Sequence, residues 1–598
     1  MSKDFLVRAR GAVSFLASFF SARGLEESRA KRVSVLFLVP LLVFAFYLSF
    51  MRGVRDSFGG DYARFMHFEK VRLANFDQVY WNIDPRLLFE NSDFEKGTLE
   101  NWTPEGEAFL YQPVGEDVLR ENRRPFFLNI QGRCFVGTYD KYAGVSQGDG
   151  PEGRLVSAPF TIERNKIGFL LGGGRSDPEQ GLGRQAAVLE VEGRAVLEET
   201  GRDLERMNLR VWDVRRWVGR EARIVLVDEP SDRPFFRHLN ADWFHYYRES
   251  GIRRGLPAAE DGYDGQFFYF LAHDPLLNAV RDDPRRALLF LDHPGYRASR
   301  IGFPLLVRLA SFGDAARFPA AMVWLVVLSH FAGAFFFLKI VLFYRKSPLW
   351  AFLYVLVPGF HLSLYFGLPE SLCLAFMLGG LNFYLRRRLP AAALLLAAAV
   401  LVREMALPVA AAAAGYEFLK RRDLRAALWL GGSVLPYALW RAFLTFRLLG
   451  LYGWETFFQR GDVLTLPFAG FAELFRLIAA GSYRAHLVPT AVFYVFLLGL
   501  AVIFAGILVF RTRNVFTLGL ALYVLIAVSL NYIKMWVDMS NGIRASYEVF
   551  LFLVLAFVSQ EKPARPWLKG GLLVFYAATL VFSAFVLYTG RFFRSVFF

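Results

Sequence analysis

Long hydrophobic runs fill the second half of the chain. A bilayer core requires about 20 apolar residues per helix, and shorter helices are tolerated where neighbouring helices bury them. The pattern therefore predicts a polytopic α-helical membrane protein with about eleven spans. The predicted spans are 33–51, 318–343, 349–366, 371–385, 389–402, 405–419, 426–446, 487–510, 515–533, 543–558 and 571–588.

Basic residues give these spans an orientation. The tail at 1–32 is rich in Lys and Arg, and so are the turns around Arg386, Lys420 and Arg511. Cytoplasmic loops carry an excess of such residues, which favours a cytoplasmic N-terminus. A signal peptide is the rival reading of 33–51, but its full span length and the absence of a small-residue cleavage site favour an uncleaved anchor. The same rule favours two short helices over one kinked helix at 389–419.

Between the first two predicted spans the pattern changes to short alternating runs. The segments "RLVSAPFTI" and "AAVLEVEG" alternate apolar and polar residues between Gly, Pro and Asp turns. Such runs are typical of strands with one buried and one wet face. We therefore predict an extracytoplasmic all-β sandwich at 79–244, a juxtamembrane external loop at 245–317 and a transmembrane helical domain at 318–598.

Composition supports a membrane protein. The formal net charge of +15 would also suit a nucleic-acid-binding protein. No interleaving of basic and aromatic residues accompanies it, so we expect no nucleic-acid partner. The two cysteines, Cys134 and Cys373, lie in different regions and predict no disulfide framework.

The segment "LLFENSDFEKGTLENWT" at 87–103 resembles the opening of galactose-binding-like, jelly-roll carbohydrate-binding modules. The resemblance implies a jelly-roll sandwich that binds carbohydrate. It also implies a structural calcium ion held by Glu90, Asp93 and Asp242, although solvated turn carboxylates explain these residues equally well. Trp102 is either a platform that stacks on a sugar ring or a core residue.

Short motifs outside the sandwich resemble a group of bacterial GT-C glycosyltransferases, which take a sugar from a polyprenyl-phosphate carrier. The matching motifs are "YDGQFFYFLAHDP" at 263–275, "PGYRASRIGFPLL" at 294–306, "LPESLCLAF" at 368–376, "LVREMALP" at 401–408 and "NGIRASYEVFLFL" at 541–553. In many members of the family the catalytic carboxylate closely follows the first span. Here Asp56 and Asp61 occupy that place, whereas Asp264 lies in the better-matching motif.

The resemblance implies a role for each of these residues. Asp264 would be the catalytic base and Asp61 a second catalytic carboxylate. His273 and Asp274 would hold a divalent metal, Mg²⁺ or Mn²⁺, unless Asp274-Pro275 merely begins a turn. The implied substrate-binding residues are Tyr263, Gln266, Tyr296, Arg297, Arg300, Glu370, Arg403, Glu404 and Arg544. Without the resemblance, Arg403 and Glu404 are equally well explained as an ion pair between helices, and Glu370 as a helix-start carboxylate.

These observations predict a multi-pass membrane enzyme of the cytoplasmic membrane, with its sandwich on the outer side. It would transfer a hexose or pentose, with inversion, from a polyprenyl-phosphate donor to a glycan, lipid or protein acceptor. Membrane lipids would be its other partners. The alternatives are a polysaccharide transporter or polymerase, and a membrane-anchored carbohydrate-binding protein without catalysis. Internal inverted repeats would favour a transporter, and the sequence contains none.

Overall fold

A computed structural model describes most of the chain. Contacts between residues divide the protein into two compact units. One unit is rich in β-strands and comprises Phe68–Gly262 and Leu277–Asp292; the other is helical and comprises the rest. The described residues are 38–45, 68–69, 72–76, 86–122, 128, 130–176, 183–229, 237–248, 258–259, 263–278, 290–291, 293–452, 457, 463–483, 485–531, 535–536, 539–561 and 565–588.

The β-rich unit contains fifteen described strands, helix α1 (Glu116–Asn122) and a helical segment at 72–76. Most strands are short and are separated by turns that contain Gly, Asn or Asp. The strands are β1 (Phe68–Glu69), β2 (Trp102–Gly106), β3 (Val114–Gly115), β4 (Cys134–Gly137), β5 (Asp140–Tyr142), β6 (Val145–Ser146), β7 (Gly153–Ser157), β8 (Phe160–Thr161), β9 (Lys166–Gly173), β10 (Arg184–Val191), β11 (Arg194–Thr200), β12 (Leu204–Asp213), β13 (Glu221–Glu229), β14 (Leu239–Tyr246) and β15 (Ala258–Ala259).

Two antiparallel sheets form the body of this unit. One has the order β11-β10-β13-β7-β2, with β8 also pairing with β13, and the other has the order β12-β9-β14-β4-β3. Side chains from both sheets share one core: Leu189 and Leu226 come from the first sheet, and Phe169, Trp212 and Phe244 come from the second. The two sheets therefore pack face to face as a sandwich.

Trp102 belongs to this core. Its side chain is 5% exposed and stacks on Phe94 at a centroid distance of 5.0 Å, with Phe89 and Phe244 close by. Its indole N–H donates to the carbonyl of Asn91. Of the two readings of Trp102, the structure supports the core residue.

The three carboxylates considered for calcium do not form one group. Glu90 pairs with Lys96, whereas the fully buried Asp242 accepts a hydrogen bond from the N–H of Gln131 at 2.8 Å. Burial raises the pKa of Asp242 well above its usual range, and nearby Glu95 and Asp93 add to that rise. Within the described part of the chain, no group of three or more His, Cys, Asp or Glu side chains is arranged to hold a metal ion. The calcium prediction thus receives no support from the geometry.

The helical unit contains, besides the helical segment at 38–45, a series of α-helices of very unequal length. They are α2 (Gly265–His273), α3 (Pro294–Ala298), α4 (Gly302–Ala310), α5 (Phe318–Phe343), α6 (Phe360–Phe366), α7 (Glu370–Leu385), α8 (Leu389–Val402), α9 (Leu407–Tyr416), α10 (Leu424–Gly432), α11 (Leu435–Tyr452), α12 (Ala469–Ala479), α13 (Val488–Arg511), α14 (Val515–Val528), α15 (Met539–Val558) and α16 (Pro566–Tyr588).

The prediction of about eleven spans is wrong. Among the described residues, four helices are long and apolar enough to cross a membrane. They are Ala315–Phe343, Val488–Arg511, Asn541–Val558 and Pro566–Ser583. Three more apolar helices, α7, α8 and α14, have 16, 14 and 14 residues, less than the roughly 20 that a full crossing requires. The polytopic eleven-span architecture is therefore replaced by four candidate spans, shorter apolar helices and a β-rich unit.

Backbone breaks explain why apolar runs do not become spans. The run at 349–366 is a 3₁₀ segment, Pro348–Leu356, separated from α6 by Gly359, whose φ of 93° lies in the left-handed region. The run at 426–446 is divided between α10 and α11, which meet at Ser433 and Val434. The run at 405–419 ends in a π-helical turn, Glu417–Arg421. Of the predicted first span, only 38–45 is described, as helix; the rest lies outside the described residues.

A buried carboxylate on β13 makes the stability of the sandwich dependent on pH. Asp228 is 2% exposed and accepts hydrogen bonds from Thr138 Oγ1 and Gln185 Nε2. Burial raises its pKa from 3.8 to about 7, although these bonds and nearby His238 act in the opposite direction. Between these two pH values the folded state keeps a proton that the unfolded chain loses. This group's contribution to stability is therefore lost as the pH rises towards 7.

We expect Asp228→Asn to stabilise the sandwich increasingly from pH 5 to pH 8, by up to about 4 kcal/mol, because the amide removes a buried charge. Pulse proteolysis in urea of the full-length protein, scored for cleavage within 86–248, measures this difference. Glu163→Gln, which alters an exposed pair with Arg86, is the control and should leave the pH dependence unchanged. Equal pH profiles for wild type and Asp228→Asn would contradict the prediction.

Candidate functional site

A cluster of ionisable side chains lies within the helical unit and draws on widely separated segments of the chain. Four of its members are arginines and four are carboxylates. They are Asp264, immediately before α2; Arg297, in α3; Arg300, before α4; Glu370, at the start of α7; Arg403 and Glu404, between α8 and α9; and Arg544 and Glu548, in α15. We refer to these eight residues as the charged cluster.

Asp264 is the member of the charged cluster that two guanidinium groups share. Arg297 Nη1 lies 2.9 Å from Asp264 Oδ1, and Arg544 Nη1 lies 3.1 Å from Asp264 Oδ2. Each oxygen thus has its own cationic donor, and hydrogen bonds of this charge-assisted kind are stronger than neutral ones. The Asp264 side chain is still 26% exposed. It is therefore held in place by two cationic donors and lies within reach of a ligand.

Aromatic rings orient the groups around Asp264. The guanidinium of Arg297 lies 4.0 Å from the ring centre of Phe267, one turn into α2. The ring of Tyr263 stacks on Phe366 at 4.0 Å, and its hydroxyl accepts from Arg544 Nη1 at 2.9 Å. A cation over an aromatic face is attracted by the ring quadrupole, which adds to the ion pair. These contacts hold Arg297 and Arg544 on either side of one carboxylate.

Arg544 also pairs with Glu370. Its Nε and Nη2 lie 2.9 and 2.7 Å from Glu370 Oε1, and Ser363 Oγ donates to the other oxygen at 3.3 Å. Glu370 is 1% exposed, so it has lost nearly all of its hydration. A buried carboxylate is tolerated only when it is paired and hydrogen-bonded. Glu370 therefore holds Arg544 in place and is itself too buried to contact a ligand.

A second buried pair lies next to the first and contains a residue that the sequence analysis did not single out. Arg403 Nη1 lies 3.5 Å from Glu548 Oε1 and 3.9 Å from Glu370 Oε1. Arg403 Nη2 donates to the carbonyl of Arg544 at 3.3 Å. Glu548 lies one helical turn after Arg544, in a segment that is otherwise apolar. An acidic residue within an apolar run was the available signal, since such residues require a partner.

Arg300 and Glu404 form the third pair of the charged cluster. Arg300 Nε and Nη2 donate to the two oxygens of Glu404 at 3.0 and 2.5 Å, and Nη2 also reaches the hydroxyl of Tyr296 at 2.6 Å. Burial alone would raise the pKa of Glu404, but the charge and hydrogen bonds of Arg300 outweigh it and lower the pKa to about 2. Glu404 therefore stays ionised, and both of its oxygens are occupied.

The remaining predicted site residues lie elsewhere or outside the described residues. Gln266 is buried in the first turn of α2. The His273 ring packs edge-on against Tyr269 and Phe318, each at 4.8 Å, and Asp274 ends α2. No metal-binding group of three or more His, Cys, Asp or Glu side chains occurs in the ranges that the structure covers, so the metal site at His273 and Asp274 stays a prediction. Asp56 and Asp61 lie outside the described residues.

The cluster has a simple chemical capacity. Arg297 and Arg544 present donors on the two sides of the partly exposed Asp264 carboxylate. Glu370 shares Arg544 with Asp264, whereas Glu404 pairs with Arg300 and Glu548 pairs with Arg403. Planar guanidinium groups match the geometry of phosphate as well as that of carboxylate. A phosphate that approached Asp264 could therefore take over donors of Arg297 and Arg544, and Asp264 would then be free to accept a proton.

One curated protein resembles part of this chain. It is named "Putative glycosyl hydrolase ecdE", comes from Aspergillus rugulosus, and is 28% identical over 172 residues. The match spans 28% of this chain and 22% of the relative, so the chain covers about a fifth of that protein's length. No protein-family model and no solved structure matches the chain. The match therefore bears on a segment and not on the whole protein.

We expect Arg544→Gln to lower the free energy of unfolding of the helical unit by about 3–5 kcal/mol, because it leaves Glu370 buried without its main partner. The double variant Arg544→Gln with Glu370→Gln should recover part of this loss, since it removes the unpaired charge. Denaturant unfolding of the full-length protein in detergent measures both effects. Equal stability of the single and double variants would show that the two side chains are not coupled.

Proposed function

We propose that the protein is a carbohydrate-active enzyme, and more specifically a membrane-bound glycosyltransferase. It would transfer a sugar from a polyprenyl-phosphate donor to a glycan, lipid or protein acceptor at the outer face of the cytoplasmic membrane. The coarser part of the proposal has support from the named relative, whose match covers only part of each chain. The observation that carries the finer part is the accessible Asp264 carboxylate between Arg297 and Arg544.

The reaction assigns one task to each of these groups. The acceptor hydroxyl oxygen attacks the anomeric carbon of the donor sugar, and the bond from that carbon to the phosphate oxygen breaks. Asp264 accepts the hydroxyl proton as a general base. The polyprenyl phosphate departs with the bonding electron pair, and Arg297 and Arg544 stabilise its negative charge. Attack opposite the leaving group inverts the anomeric configuration.

The three other carboxylates of the charged cluster support this assignment indirectly. Glu370, Glu404 and Glu548 neutralise the arginines that lie around and beneath Asp264. This pairing holds Arg544 close to Asp264 before any ligand arrives, so little reorganisation is required during transfer. During transfer Asp264 exchanges its partners, while the ion pairs of Glu370, Glu404 and Glu548 stay fixed.

Glycoside hydrolysis is the second candidate, because the named relative is described as a hydrolase. Most glycoside hydrolases use two carboxyl groups that flank the scissile bond. Within the charged cluster, Glu370 is buried beneath Arg544, and Glu404 has both oxygens bound to Arg300. Asp264, held between two guanidinium groups, suits a phosphate leaving group better than it suits a role in a pair of free acids. This arrangement favours transfer.

We expect Asp264→Asn to reduce transfer by about 10²–10⁴-fold, because the amide cannot accept the proton. Purified full-length protein is incubated with a panel of polyprenyl-phosphate sugars, and the release of polyprenyl phosphate is measured. Asp314→Asn, which alters an exposed helix-capping carboxylate, is the matched control and should retain wild-type activity. Full activity of Asp264→Asn would remove Asp264 from its role. Release of free sugar from a glycan without a lipid donor would favour hydrolysis.

A further inference from the structure

An open apolar groove runs along the helical unit between α8 and α10. It has a volume of about 780 Å³. Its walls include Ala397 and Leu394 of α8, Leu428 and Trp429 of α10, and Pro436 at the start of α11. Leu394 and Leu428 are 71% and 66% exposed. A continuous apolar surface of this kind on a folded protein indicates a binding surface.

One end of the groove is strongly basic. Arg425 is the charged residue of its lining and lies in the first turn of α10, while Arg388 immediately precedes α8. An ion pair between Arg387 and Asp423 brings the first turns of the two helices together. The segments 386–388 and 417–425 contain seven basic and two acidic side chains. Both acidic side chains, Glu417 and Asp423, are already bound to Arg387.

Two arginines at this end, Arg388 and Arg425, form no salt bridge within the described part of the chain, although the charge of Arg425 acts on nearby Asp423. A ligand that fills the groove would thus place its hydrocarbon among Leu394, Leu428 and Ala397 and its charge beside two available guanidinium groups. Trp429 lies along the same wall, and Trp is enriched where membranes meet water.

We propose that this groove is a binding site for one anionic phospholipid, whose acyl chain lies between α8 and α10 and whose phosphate contacts Arg425 and Arg388. The groove and its basic end match the two parts of such a lipid. Arginine pairs readily with phosphate, and anionic lipids attract basic segments by about 1 kcal/mol per residue. The site would fix the orientation of the helical unit at the membrane surface.

The phospholipid of this site is distinct from the proposed sugar donor. The charged cluster includes Arg403, at the end of α8, whereas Arg388 lies at its beginning. Fourteen helical residues separate these ends by about 20 Å. A phosphate held by Arg425 would therefore be far from Asp264. The proposed phospholipid site therefore does not depend on the proposed glycosyl transfer, and either proposal could fail without the other.

Native mass spectrometry of the delipidated full-length protein tests the site with added phosphatidylglycerol, phosphatidylcholine or polyprenyl phosphate. We expect one phosphatidylglycerol to bind about fivefold more tightly than phosphatidylcholine, because the choline group offsets the phosphate charge and one net charge beside a basic residue is worth about 1 kcal/mol. Arg425→Gln should abolish that preference. Arg513→Gln, in the turn between α13 and α14, is the matched control and should retain it.

A second variant blocks the groove without altering its charge. A side chain at Gly432, which lines the groove, meets open space, so Gly432→Phe should fold and exclude the acyl chain. Gly499→Phe, on the exposed side of α13, also meets open space and is its control. A second measurement leaves the groove open. Phosphatidylglycerol with brominated acyl chains should quench the tryptophan fluorescence of the protein. Part of that quenching should disappear in Trp429→Phe.

Three results would overturn the inference. The first is equal binding of phosphatidylglycerol and phosphatidylcholine by the wild-type protein. The second is unchanged binding by a folded Gly432→Phe variant, or quenching that does not depend on Trp429. The third is preferential binding of polyprenyl phosphate that Gly432→Phe abolishes, which would assign the groove to the carrier lipid instead.

Discussion

The pairing of Arg544 with Glu370 is the interaction on which the rest of the site depends. A carboxylate and a guanidinium that have both lost their water must each be matched, or the helical unit loses several kcal/mol. Arg544 binds Glu370 with two nitrogens and still extends its third to Asp264 and Tyr263. Because Glu370 and Arg544 are 174 residues apart, this need also brings distant segments of the chain together.

The charged cluster was largely predictable, because its residues stand out from apolar surroundings. Asp264, Arg297 and Arg544 were chosen from short motifs, and the structure brings them into direct contact. Glu548 was not predicted, because it lies inside an apolar run, whereas the other members lie at the edges of such runs or in the loops between them. The sequence also did not reveal that Glu370 would be covered by Arg544, since burial of a helix-start carboxylate depends on tertiary packing.

The fold was less predictable than the site, because hydropathy records composition and not the path of the backbone. Gly359, with its left-handed conformation, and the junction at Ser433 divide apolar runs that would otherwise read as spans. In the sandwich, the run at β10 correctly predicted a strand, but the expected wet face is wrong, because Ala186 and Val188 are buried in a second cluster. All eight residues of β14 are likewise buried, because each face of its sheet is covered by a separate core. Alternation cannot identify such a strand.

The short strands β1 and β15 give the β-rich unit a further property. Phe68 and Glu69 pair in parallel with Ala258 and Ala259, although nearly 190 residues lie between them. The chain therefore enters and leaves most of this unit at points about 5 Å apart, the spacing of adjacent strands. Neighbouring termini are what domain insertion and circular permutation require. This spacing predicts that the segment between β1 and β15 can be removed and the chain rejoined by a linker of a few residues.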